Sequence, residues 1–265
     1  MKKHLIIGNP INHSLSPKIH NYWFKKNKID AIYEKVVPDI NKIESIIKDI
    51  DKGVLFGMNV TVPYKQYVIP FLDTLSPLAK KTNSVNTICK KDGKIYGDNT
   101  DVIGFELAIK SLGKKFNDKT ALILGAGGVV PSLIVALQNL GVKKIFISNR
   151  TPKKIENIKL NFPFVEKVEW GEIKDCDVFI NATSVGLKKG DELGIDINKV
   201  QPNKFFYDVI YNPSITNFLK KAKKRGHKTL NGETMFLYQA QKAFEIWHNI
   251  LPKVDADLIK FLKND

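Results

Sequence analysis

The spacing of apolar positions along this chain changes several times, and each change marks an element. Residues 4–8 form a short apolar run that reads as a strand. Ser16-Pro17 then opens a helix, with Ser16 as N-cap and Pro17 at the first helical position. Residues 32–37 predict a second strand. Between 39 and 50 the side chains of Ile40, Ile43, Ile46, Ile47 and Ile50 fall on one face, the spacing of an amphipathic helix. Residues 54–62 predict a third strand. Residues 84–88 and 94–96 flank Lys91-Asp92-Gly93, a hairpin signal.

A helical stretch at 102–112 and a polar boundary at 113–119 lead into a more regular pattern. Residues 121–124, 145–148, 178–181 and 205–209 are short β-branched or aromatic runs, and helical patterns at 132–140 and 152–160 separate the first three. Strands alternating with helices predict parallel βαβ units. The last helical pattern, 234–250, is long and amphipathic and is expected to pack back on the first region. The fold class expected is therefore α/β. An N-terminal α/β substrate lobe (1–101, completed by 237–265) is joined to a Rossmann-like lobe (102–236), with the active site in the cleft between them.

Composition changes this picture little. The chain has 265 residues, 43% hydrophobic and 26% charged, as in an ordinary soluble protein. Residues 120–142 carry no charge and are numerous enough to span a bilayer, but Gly125-Ala126-Gly127-Gly128 and Pro131 split them into a strand-sized and a helix-sized piece. The start has two lysines before only three apolar residues, too few for a secretory signal, so a cytoplasmic protein is expected. Cys89 and Cys176 have no metal-ligand spacing; reduced thiols and no metal are expected. The net charge of +15 raises the question of nucleic acid. The lysines, however, are scattered as pairs, and no nucleic-acid-binding motif accompanies them. The charge fits a positive field that draws in a small anionic substrate and a phosphorylated cofactor, with neither nucleic acid nor membrane as partner. A monomer or a homodimer is expected.

The glycine turn carries the first chemistry. Gly125, Ala126, Gly127, Gly128 and Val129 end a strand and open a helix, and a second strand follows about twenty residues later. Such a turn brings backbone N–H groups and the positive end of a helix dipole to a pyrophosphate. Val130 stands where a third glycine is usual. At the end of the second strand, where a carboxylate would bind a free ribose 2′-hydroxyl, the chain has Asn149-Arg150-Thr151 followed by Lys153 and Lys154. A guanidinium suits a 2′-phosphate, which points to NADP rather than NAD.

Taken in order, the motifs of this chain closely resemble those of the shikimate dehydrogenase family, nearly end to end. The likeness rests on Gly8-Asn9-Pro10, Ser14-Leu15-Ser16-Pro17, Asn59-Val60-Thr61-Val62-Pro63-Tyr64-Lys65, Ser84-Val85-Asn86-Thr87 and Gly97-Asp98-Asn99-Thr100-Asp101. It continues through the glycine turn, Asn149-Arg150-Thr151, Asn181-Ala182-Thr183-Ser184-Val185-Gly186, Tyr207-Asp208-Val209-Ile210-Tyr211 and residues 232–239. The resemblance implies NADPH-dependent reduction of 3-dehydroshikimate to shikimate, on the route to chorismate and the aromatic amino acids. It implies Lys65 and Asp101 as the catalytic pair. It implies Ser14 and Ser16 on the substrate carboxylate, and Thr61, Asn86, Asp101 and Gln239 on the ring hydroxyls, with Tyr211 as a further contact. Beyond the glycine turn, it implies cofactor contacts from Asn149, Arg150, Thr151, Lys154, Thr183, Val209 and Gly232. Pro77 stands where many members have an acidic residue, and no role is assigned to it. Three alternatives remain open: a quinate/shikimate dehydrogenase that uses NAD, a methylenetetrahydrofolate dehydrogenase, which Ser14 and Ser16 disfavour, and a non-catalytic dinucleotide-binding regulator.

Overall fold

The computed structural model describes residues 1–12 and 14–264; His13 and Asp265 lie outside the described residues. The chain divides into two compact units, Met1–Gly104 with Leu237–Asp265, and Phe105–Phe236.

The first unit is built on a mixed sheet. Its elements run β1 (Lys2–Ile7), α1 (Ser16–Lys26), β2 (Ala31–Val36), α2 (Ile43–Asp51), β3 (Gly57–Val60), β4 (Thr74–Leu75), α3 (Pro77–Thr82), β5 (Thr87–Lys91), β6 (Lys94–Asp98) and the start of α4 (Thr100–Lys110). The strand order is β2-β1-β3-β5-β6-β4, with β1 parallel to β2 and β3, and β5 antiparallel to both β3 and β6. Successive side chains of a strand face opposite ways. Leu5 and Ile7 therefore join Ile43, Ile47 and Ile50 of α2 in one apolar core. His4, on the other face, meets Phe24 of α1 and Trp247.

Three expectations need correction here. Ser16 is not the N-cap of α1: Leu15 holds that position, and the Ser14 hydroxyl accepts the Ser16 N–H at 3.3 Å. The helix expected from residue 39 begins as a 3-10 turn, Ile40–Lys42, because Asp39 caps the Asn41 N–H; Ile40 is left exposed. The third strand is shorter than 54–62. Val54 and Leu55 give their N–H groups to Asp49 at the end of α2, and Pro63 has no N–H to give.

The second unit holds β7 (Thr120–Leu124), α5 (Val130–Asn139), β8 (Lys144–Ser148), α6 (Pro152–Asn161), β9 (Glu166–Val168), β10 (Val178–Asn181), β11 (Phe205–Asp208), α7 (Asn217–Lys224) and β12 (Lys228–Leu230). All its strand pairs are parallel, in the order β12-β11-β10-β7-β8-β9. Counted from β7, this is the doubly wound order of a dinucleotide-binding sheet, with its switch point between β7 and β10. Such strands are covered on both faces, and residues 121–124 and 178–181 are buried throughout. The uncharged stretch is thus β7, a turn and α5. Among the described residues no helix is long and apolar enough to cross a membrane.

Two helices close the chain, α8 (Glu233–His248) and α9 (Ala256–Lys263). Within the first unit, the Trp247 indole N–H donates to the Ile88 carbonyl of β5 at 3.2 Å, and the Trp23 indole N–H of α1 donates to Lys253 at 3.1 Å. The C-terminal helices pack back on the N-terminal sheet.

Candidate active site and dinucleotide site

In the first unit the sequence places Lys65 in the loop after β3 and Asp101 in the first turn of α4. Lys65 Nζ lies 2.5 Å from Asp101 Oδ2, and both side chains are buried. Backbone bonds hold each partner: the Lys65 carbonyl accepts the Val85 N–H at 2.9 Å, and Asn99 Oδ1 accepts the Asp101 N–H at 3.1 Å. Asn86 joins the pair, its Nδ2 lying 3.0 Å from Asp101 Oδ1. Lys65, Asn86 and Asp101 thus meet in one buried polar cluster. An ammonium group has three N–H donors, so Lys65 keeps donors beyond the one on Asp101.

The other candidate substrate residues of this unit lie on neighbouring elements. Thr61 is half-buried, and its N–H donates to Ile7 at the end of β1. Ser16 is buried and interacts with the Tyr33 hydroxyl. Ser14 is half-buried in the preceding loop, and Gln239 is half-buried on α8. Sequence reasoning assigned no role to Asn59, Thr87 or Thr100, yet all three are buried around Asn86. Asn59 Nδ2 donates to the Asn86 carbonyl at 2.9 Å, and Thr87 and Thr100 both reach Asn86 Oδ1. Polarity within the buried parts of β3 and β5 was the signal for Asn59 and Thr87, whereas Thr100 opens α4. Pro77 has a structural role: it sits at the start of α3, which Ser76 caps by accepting the Ala79 N–H at 2.9 Å.

The second unit presents the glycine turn at the carboxyl end of β7. Gly125 has φ +113°, and a Cβ there would lie 2.9 Å from the Ala182 carbonyl oxygen that follows β10. Only glycine lets the two strand ends approach so closely at the switch point. In front of Gly127 a Cβ would meet nothing nearer than 3.9 Å, and in front of Gly128 nothing within 4 Å. No side chain caps α5 at Val129. An open, side-chain-free cradle before a helix N-terminus fits a pyrophosphate. At the end of β8, Asn149 Nδ2 donates to the Thr151 carbonyl at 2.9 Å, and Arg150, Thr151 and Lys154 are exposed there. This donor set fits a 2′-phosphate.

The loops after β10 and β11 are tied together by one buried carboxylate. Asp208 accepts from Asn181 Nδ2 at 3.1 Å, from the Thr216 hydroxyl at 2.6 Å and from the Ile210 N–H at 3.0 Å. Burial pushes the Asp208 carboxyl up to about 6, against the pull of these donors. Asn181 Oδ1 in turn accepts the Thr183 hydroxyl at 2.7 Å, and the Val209 N–H donates to the Asn181 carbonyl. Thr183 and Val209 are therefore fixed by one network. The Gly232 N–H donates to the Ile210 carbonyl at 3.2 Å, and Tyr211 stacks on Phe236 with ring centroids 4.8 Å apart. Burial lifts the Cys89 and Cys176 thiols to about 11; both are unpaired. Among the described residues no group of three or more His, Cys, Asp or Glu is placed to hold a metal ion.

A doubly wound sheet with an open glycine cradle, together with a unit that buries a lysine–carboxylate pair, defines a nicotinamide-dinucleotide-dependent oxidoreductase of two α/β units. Residues 6–88 match the family model of the shikimate dehydrogenase substrate-binding domain, and residues 106–188 match that of shikimate/quinate 5-dehydrogenase. Shikimate dehydrogenase (NADP(+)) of Pelagibacter ubique is 56% identical over 261 residues, 98% of each chain. Among solved structures, shikimate 5-dehydrogenase of Listeria monocytogenes in complex with shikimate and NAD is 32% identical with a TM-score of 0.90, covering 99% of this chain and 96% of that one. The Thermus thermophilus enzyme in complex with NADP(H) and shikimate is 28% identical with a TM-score of 0.89, covering 99% and 98%. The chain belongs to the shikimate dehydrogenase family.

Proposed function

We propose that this protein is an NADP-dependent shikimate dehydrogenase that reduces 3-dehydroshikimate reversibly to shikimate in aromatic amino acid biosynthesis. The observation that carries the chemistry is the buried Lys65–Asp101 pair with Asn86 on its other oxygen, in a chain so similar over its length to a protein of that activity. In this reading the first unit binds substrate and the second binds the dinucleotide. The reduced dinucleotide supplies the hydride that the ketone carbon receives.

The chain's own residues handle position and the proton. Lys65 donates a hydrogen bond to the carbonyl oxygen and transfers a proton to it as negative charge develops there. Asp101 holds the ammonium in place and accepts a ring hydroxyl. Thr61 and Gln239 bond the remaining hydroxyls, Asn86 stands beside them on Asp101, Ser14 and Ser16 bind the carboxylate, and Tyr211 adds a contact. A buried polar group left unpaired costs about 1–3 kcal/mol, so a ring lacking those hydroxyls is rejected. Gly125 to Val129 receive the pyrophosphate, Asn149 to Lys154 the 2′-phosphate, and Thr183, Val209 and Gly232 line the remaining dinucleotide contacts. We assign the protein to the cytoplasm, where NADPH is supplied and buried thiols stay reduced, as a monomer or homodimer.

The test is a spectrophotometric assay of NADP⁺ reduction with shikimate, with quinate and NAD⁺ as further arms. Turnover is expected to be fastest with shikimate and NADP⁺. Faster turnover with quinate and NAD⁺ would replace this reading with a quinate enzyme, and no turnover with either acid would leave a non-catalytic binding protein.

A further inference from the structure

The polar cluster around Asp101 is wired in one direction. The Tyr33 hydroxyl donates to Asn59 Oδ1 at 2.7 Å. The Asn86 carbonyl can only accept, so the Asn59 atom 2.9 Å from it is Nδ2, which also faces the Thr87 hydroxyl at 3.1 Å and leaves Oδ1 for Tyr33. A hydroxyl has a single proton. With an amide N–H on the Thr87 oxygen, its proton goes to Asn86 Oδ1 at 3.0 Å. The Thr100 N–H reaches the same oxygen at 2.8 Å. The Asn86 amide is thereby turned with its oxygen inward, which leaves Nδ2 facing Thr100 Oγ1 at 2.9 Å and Asp101 Oδ1 at 3.0 Å. Tyr33, Asn59, Asn86, Thr87, Thr100 and Asp101 are all buried, so water does not replace a lost partner cheaply. An Asn86 amide rotated by half a turn would set its oxygen against the Asp101 carboxylate.

We propose that Asn59 and Thr87 are positioning residues of the reaction. They hold the Asn86 amide with its N–H groups toward Asp101, and so keep Asp101 and the Lys65 it anchors aligned with the substrate oxygen. The proposal rests on the reading of Lys65 and Asp101 as the catalytic pair. Burial pushes the Tyr33 phenol well above its ordinary value, against the pull of a hydrogen bond from Ser16, so the hydroxyl keeps the proton it gives to Asn59. Thr87 and Asn59 act through Asn86 and need not touch substrate. Their removal therefore changes how well the ring is held and turned over, and leaves dinucleotide binding alone.

Thr87→Val keeps the side-chain shape and removes the donor; Thr87→Ser keeps the donor. In the shikimate assay Thr87→Val is expected to lose about tenfold in kcat/KM for shikimate, through both constants. Its KM for NADP⁺ is expected to stay within about twofold of wild type, and Thr87→Ser to recover kcat/KM to within about threefold. A Thr87→Val enzyme within twofold of wild type overturns the proposal, as does a Thr87→Ser loss equal to that of Thr87→Val. Lys65→Ala is measured alongside and is expected to lower kcat by on the order of 10²-fold or more. If Lys65→Ala stays active, the reading of the catalytic pair falls; if only Thr87→Val stays active, the positioning role alone falls. Circular dichroism melts monitor folding. Should Thr87→Val not fold, Asn59→Ala carries the same test, and unaltered kinetics there overturn the proposal equally.

Discussion

Lys65 and Asp101 lie 36 residues apart in the chain and 2.5 Å apart in the fold. No periodicity pairs two residues at that separation, and the roles proposed for them rest on motifs taken in order. Polarity in a buried strand marked Asn59 and Thr87, but the positioning role proposed for them was not legible, because it depends on the direction of a hydrogen bond. Direction follows from a count of donors at each atom, and that count needs the structure. Arg150 is the opposite case: its role is proposed from chemistry at one position, the end of a strand where a carboxylate would select a free hydroxyl. Arg150→Ala is accordingly expected to raise the KM for NADP⁺ by about tenfold or more and that for NAD⁺ by less than about threefold. Steady-state kinetics with both dinucleotides check this, and equal losses would remove Arg150 from the 2′-phosphate.

At the scale of elements, long patterns were read well and short ones were missed. Helices α3, α7 and α9 have 6, 8 and 8 residues, too few for an apolar stripe to repeat. Each nevertheless begins with a cap of the same kind, Ser76 on Ala79, Thr216 on Leu219 and Asp255 on Leu258, accepting the N–H three residues on. Strands β9 and β12 have three residues each and lie at the two edges of their sheet, where neither length nor burial leaves a period to read. The hairpin was legible because Asp92-Gly93 makes its turn, and the register Lys91↔Lys94 leaves two residues in it. The close seat of α8 on β3 was not legible. A Cβ on Gly57 would fall 2.5 Å from the Trp247 indole. Gly57→Ala is therefore expected to destabilise the protein by about 1–3 kcal/mol, seen as a thermal midpoint lowered by roughly 2–4 °C for each kcal/mol. An unchanged melt would show that the indole can move aside.

The molecule as a whole is expected to be acid-sensitive, and the sensitivity has a location. His4, His20 and His248 lie among Phe24, Tyr33, Phe244 and Trp247 in the first unit. Burial, and then the neighbouring His248, lowers His4 to about 3; burial lowers His248 to about 4 and places His20 well below its ordinary value. Below about pH 6.5 the unfolded chain takes up protons that the folded cluster refuses, so stability is full above that pH and falls as pH drops toward 4. Each refused proton is worth at most about 1.4 kcal/mol per pH unit, less for the partly exposed His248. Asp208 in the second unit works the other way: raised to about 6, it makes the folded state bind a proton more readily between about pH 4 and 6. Urea melts followed by tryptophan fluorescence at pH 7 and pH 5 should give a lower midpoint at pH 5, and His20→Leu should flatten the difference. A His20→Leu protein with the same midpoint difference as wild type would take the sensitivity away from the cluster. The bond from Trp247 to Ile88 has one more consequence. It closes a unit whose two parts are separated by the whole of Phe105–Phe236. A ribosome therefore releases Trp23 and Phe24 well before the helix that covers them, by a delay on the order of ten seconds. During that interval the second unit can fold by itself while the first waits with its aromatic face uncovered, the time at which a nascent chain has most use for a chaperone.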